Sequence, residues 1–225
     1  MTRPVQTKLK KGGLNINYDE LLHPDLYGSL PSASRTGLPV LNPIKPEFIA
    51  PIRLVPFHEA YARKDYGCVV HFFIHDCRFL CVLRHPERYQ DFFKKCRAVI
   101  EPDLSQYVDM SADDRYLSAW INRAFARYLQ QHGVTVIPNV TWSLPDSYAY
   151  SFTGIPQYAP VAINCNGVLK HDISKYLWYR GYEEAVSTLH PSLIIRYGTR
   201  MPYESHSDIS IYFFNERLMR LRHGS

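Results

Sequence analysis

Polar and charged side chains follow several apolar runs of this sequence, at the points where those runs end. These side chains are Asp76, Glu101, Asp103, Asn139, Trp142, Asn164, Arg196 and Tyr197. Carboxylates can donate or accept protons, a guanidinium can bind a phosphate, and an indole ring can stack on a flat ligand. If the apolar runs are parallel strands, these residues meet at the carboxyl edge of one sheet. The sequence therefore predicts a site there, with Asp103, Asp76 and Glu101 as catalytic candidates and the others as ligand-binding candidates.

Glu101 and Asp103 are two residues apart, so their side chains would share one face of an extended strand. Two carboxylates held close together repel each other, and one of them can keep its proton and act as a general acid. They could instead share a divalent cation, for which Mg²⁺ or Mn²⁺ is the candidate because both ions prefer oxygen ligands. A purely structural alternative is that Asp103 begins a turn with Ser105.

A second group of residues has the chemistry of a metal site. His75, Cys77, Cys81 and His85 are close in sequence, and the two cysteines fit the spacing of one zinc-binding pair. No second pair has the expected spacing, so we predict no bound zinc and five reduced cysteines, as in a reducing cytosol. His71 lies inside a predicted strand, where we expect a core histidine with satisfied hydrogen bonds.

The elements that would position these residues alternate along the chain. Apolar runs typical of buried strands span residues 68–74, 97–104, 134–140, 160–166 and 193–197, and a shorter run spans residues 52–57. Helical patterns fill the gaps at residues 86–96, 112–132 and 173–189, with a last helix predicted at 209–222, although 211–214 could be a strand. This alternation predicts an α/β fold with a mainly parallel sheet of five to six strands. An incomplete TIM-like barrel and an open doubly wound sheet both fit the pattern.

The first 50 residues differ from the rest because proline and glycine recur throughout them. Repeated proline prevents a helix and interrupts any strand, so we predict an irregular N-terminal arm at residues 1–50 and an α/β domain at residues 51–225. Its leucines still need burial, and we therefore expect the arm to pack on the domain. No stretch of the chain is apolar enough to cross a membrane, and we expect a cytoplasmic protein without a membrane partner.

Common catalytic signatures are absent from the sequence. It has no Gly-x-Gly-x-x-Gly fingerprint, no phosphate loop, no Gly-x-Ser-x-Gly and no His-Glu-x-x-His. The net charge of +5 is mildly basic, and its basic residues cluster near the chain ends, at Arg3, Lys8, Lys10, Lys11, Arg217, Arg220 and Arg222. These residues are either solvated tails or a patch that follows a phosphate backbone.

Four stretches taken together resemble the bacterial and phage family called domain of unknown function 4417. They are Val70-His71-Phe72-Phe73 with Asp76; Pro102-Asp103-Leu104-Ser105 with Asp109-Met110; Asn122-Arg123 through Gly133 to Val136-Ile137-Pro138 and Val140-Thr141-Trp142; and Gly181-Tyr182 with Leu189, Pro191, Ile194-Ile195 and Tyr197-Gly198. The resemblance covers roughly residues 50–200 and implies a phage or mobile-element protein without an established activity. The family usually has a small polar residue where this chain has Glu101. The resemblance therefore favours Asp103 over Glu101 as the essential carboxylate.

Three functions fit these observations. The first is a protein that binds or processes a nucleotide or nucleic acid, with Asp103 as acid, base or metal ligand and Asp76 as second carboxylate. In that case Arg196 would contact a phosphate and Trp142 would form a stacking wall, all in one cleft. The second is a non-catalytic module that binds nucleic acid or protein through the basic termini and the arm. The third is a carbohydrate-active enzyme, because paired acids beside tryptophan also suit sugars. The sequence indicates no particular oligomeric state.

Overall fold

A computed structural model describes residues 16–45, 52–168, 172–202, 204 and 209–214 of the chain. The strands of this part are β1 (Leu54–Pro56), β2 (Val69–His71), β3 (Ala98–Ile100), β4 (Val136–Ile137), β5 (Pro160–Asn164), β6 (Leu193–Tyr197) and β7 (Ser210–Phe214). Its α-helices are α1 (Pro24–Tyr27), α2 (Phe57–Arg63), α3 (Leu80–Arg84), α4 (Pro86–Lys95), α5 (Ala112–Gln131), α6 (Tyr148–Ser151) and α7 (Asp172–Leu189). Within the described residues, no helix is both long and apolar enough to span a bilayer.

All the paired strands run parallel, as the sequence predicts. One sheet has the order β1-β2-β3-β4 and the other has the order β5-β6-β7. A parallel bridge between Asn139 and Ala162 joins them, and Ala162 exchanges main-chain hydrogen bonds of 2.8 and 2.9 Å with Pro138 and Val140. Among the described strands, the order follows the sequence and shows no reversal of the kind that defines a doubly wound sheet.

Each of the five long apolar runs contains an observed strand, and each predicted helix before residue 190 forms within a few residues of its expected ends. The predicted last helix is wrong over Ser210–Phe214, because this segment is β7 and pairs with β6 at all five positions. Its aromatic and β-branched residues fit a pleated surface better than a helix. The remainder of that prediction, from residue 215, lies outside the described residues.

The two faces of the strands pack against different partners. One face forms a central cluster, made of Leu54, Val69, Phe73, Ala98, Ile100, Ile137, Ala162, Leu193, Ile195 and Tyr197. The alternate residues, including Val70, Val99, Val161 and Ile194, pack on the helices in two further clusters. Side chains alternate between faces along a strand, so a one-residue difference in position decides whether a side chain joins the central cluster or the helix side.

Helix α5 begins and ends as its sequence predicts. The Ser111 hydroxyl accepts a hydrogen bond of 3.0 Å from the main-chain N–H of Asp114, which satisfies one of the free N–H groups of the first turn. Gly133 follows the helix with φ +81°, a conformation that favours glycine. The buried side of α5 includes the polar residues Arg115, Ser118, Asn122 and Arg123, and the last two reach the segment that follows β3.

Residues 16–45 pack on the strands and helices as expected for the arm. Leu21, Tyr27, Leu38 and Leu41 are buried, and the main-chain N–H of Leu41 donates to the Gly154 carbonyl at 2.9 Å. This segment does contain two helical turns, a 3₁₀ turn at Tyr18–Leu21 and the helix α1, and the prediction of a wholly irregular arm is wrong there. Pro24 is the first residue of that turn, where the missing N–H costs no helical hydrogen bond. The predicted boundary at residue 50 lies outside the described residues.

The contact between the arm and Gly154 can be tested with one substitution. An alanine Cβ at position 154 would overlap the carbonyl oxygen of Pro39, and the φ of +76° adds backbone strain. We expect Gly154→Ala to lower the free energy of unfolding in urea by about 2–4 kcal/mol. Gly133→Ala is the matched control, since its φ is +81° and no atom lies within 4 Å of the added Cβ. Gly133→Ala should lower the free energy of unfolding by about 1 kcal/mol. If the two variants lose the same free energy of unfolding, the arm does not pack at Gly154.

Candidate functional site

Asp103 lies just beyond the end of β3 and accepts hydrogen bonds from three side chains. Asn139 Nδ2 and Thr141 Oγ1 donate to Oδ1 at 3.0 and 2.9 Å, and Asn164 Nδ2 donates to Oδ2 at 2.9 Å. Asn139 and Thr141 follow β4, and Asn164 ends β5, so the carboxyl ends of three strands meet at this side chain. All three donors are uncharged, and Asp103 is only half-buried. The site therefore offers an accessible carboxylate in a fixed orientation.

Asp76 is the second carboxylate of this edge. It lies in a 3₁₀ turn after β2, and Ser105 binds it through the hydroxyl at 3.1 Å and the main-chain N–H at 3.4 Å. Burial raises the pKa of Asp76 to about 6, and the negative charge of Asp103 adds to this increase against the effect of the Ser105 hydrogen bonds. Asp76 therefore holds a proton that it can release near neutral pH.

Glu101 does not pair with Asp103, contrary to the expectation that the two carboxylates share one face. Glu101 Oε1 accepts a hydrogen bond of 2.8 Å from Arg123 Nε of α5, and Oε2 accepts the main-chain N–H of Asn139 at 3.0 Å. Burial raises the pKa of Glu101, while the Arg123 charge opposes the increase. Strand β3 ends at Ile100 and Pro102 follows Glu101, so the regular alternation ends before Asp103. Glu101 serves as a structural ion-pair partner that holds Asn139.

Trp142 and Arg196 point to the helix side of the sheet and away from the carboxylates. Trp142 Nε1 donates to the Leu177 carbonyl at 3.3 Å, and its ring lies against Gly181 of α7. Arg196 is fully buried, forms an ion pair of 2.8 Å with Glu204, and stacks 4.6 Å from the Trp178 ring. The predicted stacking wall and phosphate contact are thus absent from the Asp103 group. Both predictions failed because these residues occupy helix-facing positions of the alternation.

Tyr197, which the sequence predicts as a ligand-binding residue at the strand ends, lies on the central face, where its ring packs on two other rings. Its ring centroid is 4.7 Å from that of His71 and 5.0 Å from that of Phe73. The site prediction missed Thr141 and Ser105, which bind the two carboxylates. Thr141 could have been found from its position two residues after Asn139, on the same face of the chain.

Metal-binding chemistry at this edge would rest on Asp76 and Asp103, because both oxygens of Glu101 accept hydrogen bonds from the protein. Across the described ranges, no three histidine, cysteine, aspartate or glutamate side chains stand together as a metal-binding group. The five cysteines are free thiols, and Cys77 and Cys81 are exposed.

Comparison with known proteins identifies a family and two phage relatives. The family model described as "Domain of unknown function (DUF4417)" matches residues 30–215, so the match includes part of the N-terminal arm that the resemblance at residues 50–200 left out. Gene 1 protein of Mycobacterium phage L5 is 32% identical over 169 residues, which cover 74% of this chain and 73% of the relative. Gene 1 protein of Mycobacterium phage D29 is 31% identical over 172 residues, which cover 76% of this chain and 63% of the relative. No solved structure matches the chain.

Removing one charge of the buried pair between Glu101 and Arg123 should lower the free energy of unfolding. Glu101→Gln leaves Arg123 buried without a counter-charge, and we expect a loss of about 3–5 kcal/mol in the free energy of unfolding, measured in urea. The control is Asp65→Asn, which breaks the pair with Arg53, whose side chain is 42% exposed. That loss should not exceed about 1 kcal/mol. Similar losses in the two variants would mean that the Glu101 pair does not organise the core.

The pKa of Asp76 predicts how stability depends on pH. In the folded chain the pKa of Asp76 is about 6, above its ordinary value of 3.8. At a pH between these two values, the chain therefore takes up a proton when it folds. The stabilisation from that proton is complete below pH 4 and is lost as the pH rises through 6. Asp76→Asn should match the wild type at pH 4 and exceed it at pH 7.5 by on the order of 2–3 kcal/mol. Chemical unfolding of both proteins at four pH values measures this difference, and a difference independent of pH contradicts it.

Proposed function

This chain belongs to the family described as domain of unknown function DUF4417, and we propose that it is an acid–base enzyme whose site is built on Asp76 and Asp103. The observation that carries the proposal is the contrast between these two neighbouring carboxylates. Asp76 is buried with a pKa of about 6, and Asp103 is half-exposed and held by three uncharged donors. Acid–base enzymes commonly divide the roles of acid and base in this way.

Each carboxylate has a distinct role in the proposed reaction. Protonated Asp76 donates its proton to the group that gains negative charge as a bond in the ligand breaks. The Asp103 carboxylate takes a proton from the attacking water or ligand hydroxyl, and Asn139, Thr141 and Asn164 keep its two oxygens in place. The two proton transfers balance, and a proton returns from Asp103 to Asp76 through solvent after each turnover.

The fold supports this location for the site. We infer that the strands curve into an incomplete barrel, since β2 and β6 lie four strands apart in the observed order. A flat sheet would separate them by about 19 Å, whereas the His71 and Tyr197 rings are 4.7 Å apart. In barrels of this kind, active sites lie at the carboxyl ends of the strands.

The charges around the site favour an uncharged reactive group in the ligand. The three buried arginines of the described residues already have partners, because Arg115 pairs with Asp146, Arg123 with Glu101 and Arg196 with Glu204. A phosphate at this edge would meet two carboxylates without an added cation. We therefore propose that the enzyme acts on the base or sugar part of a nucleoside or nucleotide.

A carbohydrate is the second candidate substrate, because the amide and hydroxyl groups around Asp103 also suit sugar hydroxyls. The third reading, a non-catalytic module that binds nucleic acid, depends on basic residues at the chain ends that lie outside the described residues. The phage origin of both relatives supports a role in the cytoplasm during phage or mobile-element growth.

The proposal is tested by incubating the protein with separate panels of nucleosides, nucleotides and glycosides and identifying products by mass spectrometry. Asp103→Asn preserves the side-chain shape and should reduce turnover at least about 100-fold. Wild-type activity should fall as the pH rises through about 6, because Asp76 then loses its proton, and Asp76→Asn should remove this pH dependence together with most of the activity.

The matched control is Asp109→Asn, since Asp109 is exposed in the same loop and should leave turnover unchanged. Circular dichroism and the melting temperature establish that each variant folds. If no member of the three panels is turned over, or if Asp103→Asn retains full turnover, the acid–base proposal is wrong.

A further inference from the structure

We propose that His71 and Asn139 form the recognition part of the same site and bind the amide-like edge of a nucleobase through one N–H group and one carbonyl oxygen. This inference rests on the proposed function and deepens it, because it names the ligand group that the carboxylates act upon. Its basis is two buried polar atoms, His71 Nε2 and Asn139 Oδ1, that have no hydrogen-bond partner in the described part of the chain.

His71 presents a neutral N–H group. Its Nδ1 accepts the main-chain N–H of Phe73 at 3.2 Å, so the ring proton of the neutral imidazole is on Nε2. Burial lowers the pKa of His71 to about 3, and the ring therefore stays neutral at physiological pH. A buried donor without a partner destabilises a folded protein, and such groups in native structures are often satisfied by a ligand or a water molecule.

Asn139 presents the complementary acceptor. Its Nδ2 donates to Asp103 and Thr141 at 3.0 and 2.9 Å, and these contacts fix the orientation of the amide. Rotating the amide by 180° would place Oδ1 against the Asp103 carboxylate, where two acceptors repel each other. The buried Oδ1 consequently faces away from Asp103 and can accept a hydrogen bond from a ligand.

A chain of contacts links the two residues on the central face. The His71 ring contacts the Tyr197 ring, and Tyr197 is opposite Asn164 in the register of β5 and β6. Asn164 donates to Asp103, and Asp103 accepts from Asn139. These five residues thus form one layer at the carboxyl end of the central cluster.

The chemistry of this layer selects the ligand class. One donor and one acceptor match the adjacent C=O and N–H groups of a lactam such as that of uracil, and the Phe73 and Tyr197 rings supply flat apolar surfaces. A phosphate presents acceptor oxygens and would be repelled by Asn139 Oδ1. A sugar hydroxyl can also satisfy both atoms, but one hydroxyl does not present the adjacent N–H and C=O groups of a lactam, and ribose is therefore the competing ligand in the test.

The test measures the binding of uridine, ribose and inorganic phosphate to the full-length protein by titration calorimetry, for the wild type and His71→Phe. Phenylalanine keeps an aromatic ring in the layer and removes the unpartnered N–H group. We expect the wild type to bind uridine and His71→Phe to bind it at least tenfold more weakly, with an equal or higher melting temperature. His85→Phe, at an exposed position, should bind uridine like the wild type.

A second measurement observes His71 directly in the wild-type protein. The nitrogen-15 spectrum of wild-type histidines should show a His71 Nε2–H resonance that shifts when uridine is added, and that resonance should be assigned by its loss in His71→Phe. Unchanged affinity in His71→Phe, or a resonance that does not move on binding, overturns the role of His71 and leaves the acid–base site intact. A melting temperature lower by more than about 5 °C also overturns it, because Nε2 would then have a structural partner. Binding of ribose or phosphate in preference to uridine, or binding of none of the three, overturns the nucleobase assignment. The acid–base proposal is judged separately, by turnover of the three panels and by its loss in Asp103→Asn.

Discussion

The buried ion pair between Glu101 and Arg123 determines how the carboxyl edge of the sheet is built. It joins helix α5 to the segment after β3, and the second oxygen of Glu101 holds the main-chain N–H of Asn139 after β4. Taking two charges out of water is costly, and the cost is offset only where further hydrogen bonds satisfy both groups. Here Asn139 supplies one such bond, and Arg123 donates another to the Thr153 carbonyl. The arrangement that stabilises the pair therefore also fixes the residue that orients Asp103.

Residues 101–105 give neighbouring side chains different environments. Glu101 is buried against the helix layer, Asp103 lies among uncharged donors at the strand ends, and Ser105 binds Asp76. The chemical difference between the carboxylates thus comes from their surroundings, because burial raises the pKa of Asp76 while Asp103 remains partly open to water.

The sequence predicts the strands well because each is a short apolar run that parallel packing buries on both faces. It also predicts the convergence of Asp103, Asn139 and Asn164, since residues at the ends of parallel strands meet whatever their separation in sequence. It does not predict which face each side chain occupies, because strand ends are uncertain by one or two residues and a shift of one residue reverses the face. For this reason the sequence predicts Trp142 and Arg196 in the cleft with Asp103, whereas both side chains face the helices. His71 shows a second limit, since the absence of a hydrogen-bond partner becomes visible only when the surrounding residues are in place.

Asn164 connects the helix side of the sheet to the site. Its side chain donates to Asp103, and its carbonyl accepts a hydrogen bond of 3.1 Å from Trp178 of α7. Trp178 in turn stacks on Arg196, which pairs with Glu204. Arg123 and Arg196 therefore both have a carboxylate partner on the helix side of the sheet. The described hydrogen bonds of Asp76 and Asp103 include none from an arginine or lysine, and this supports the proposal of a ligand whose reactive group is uncharged.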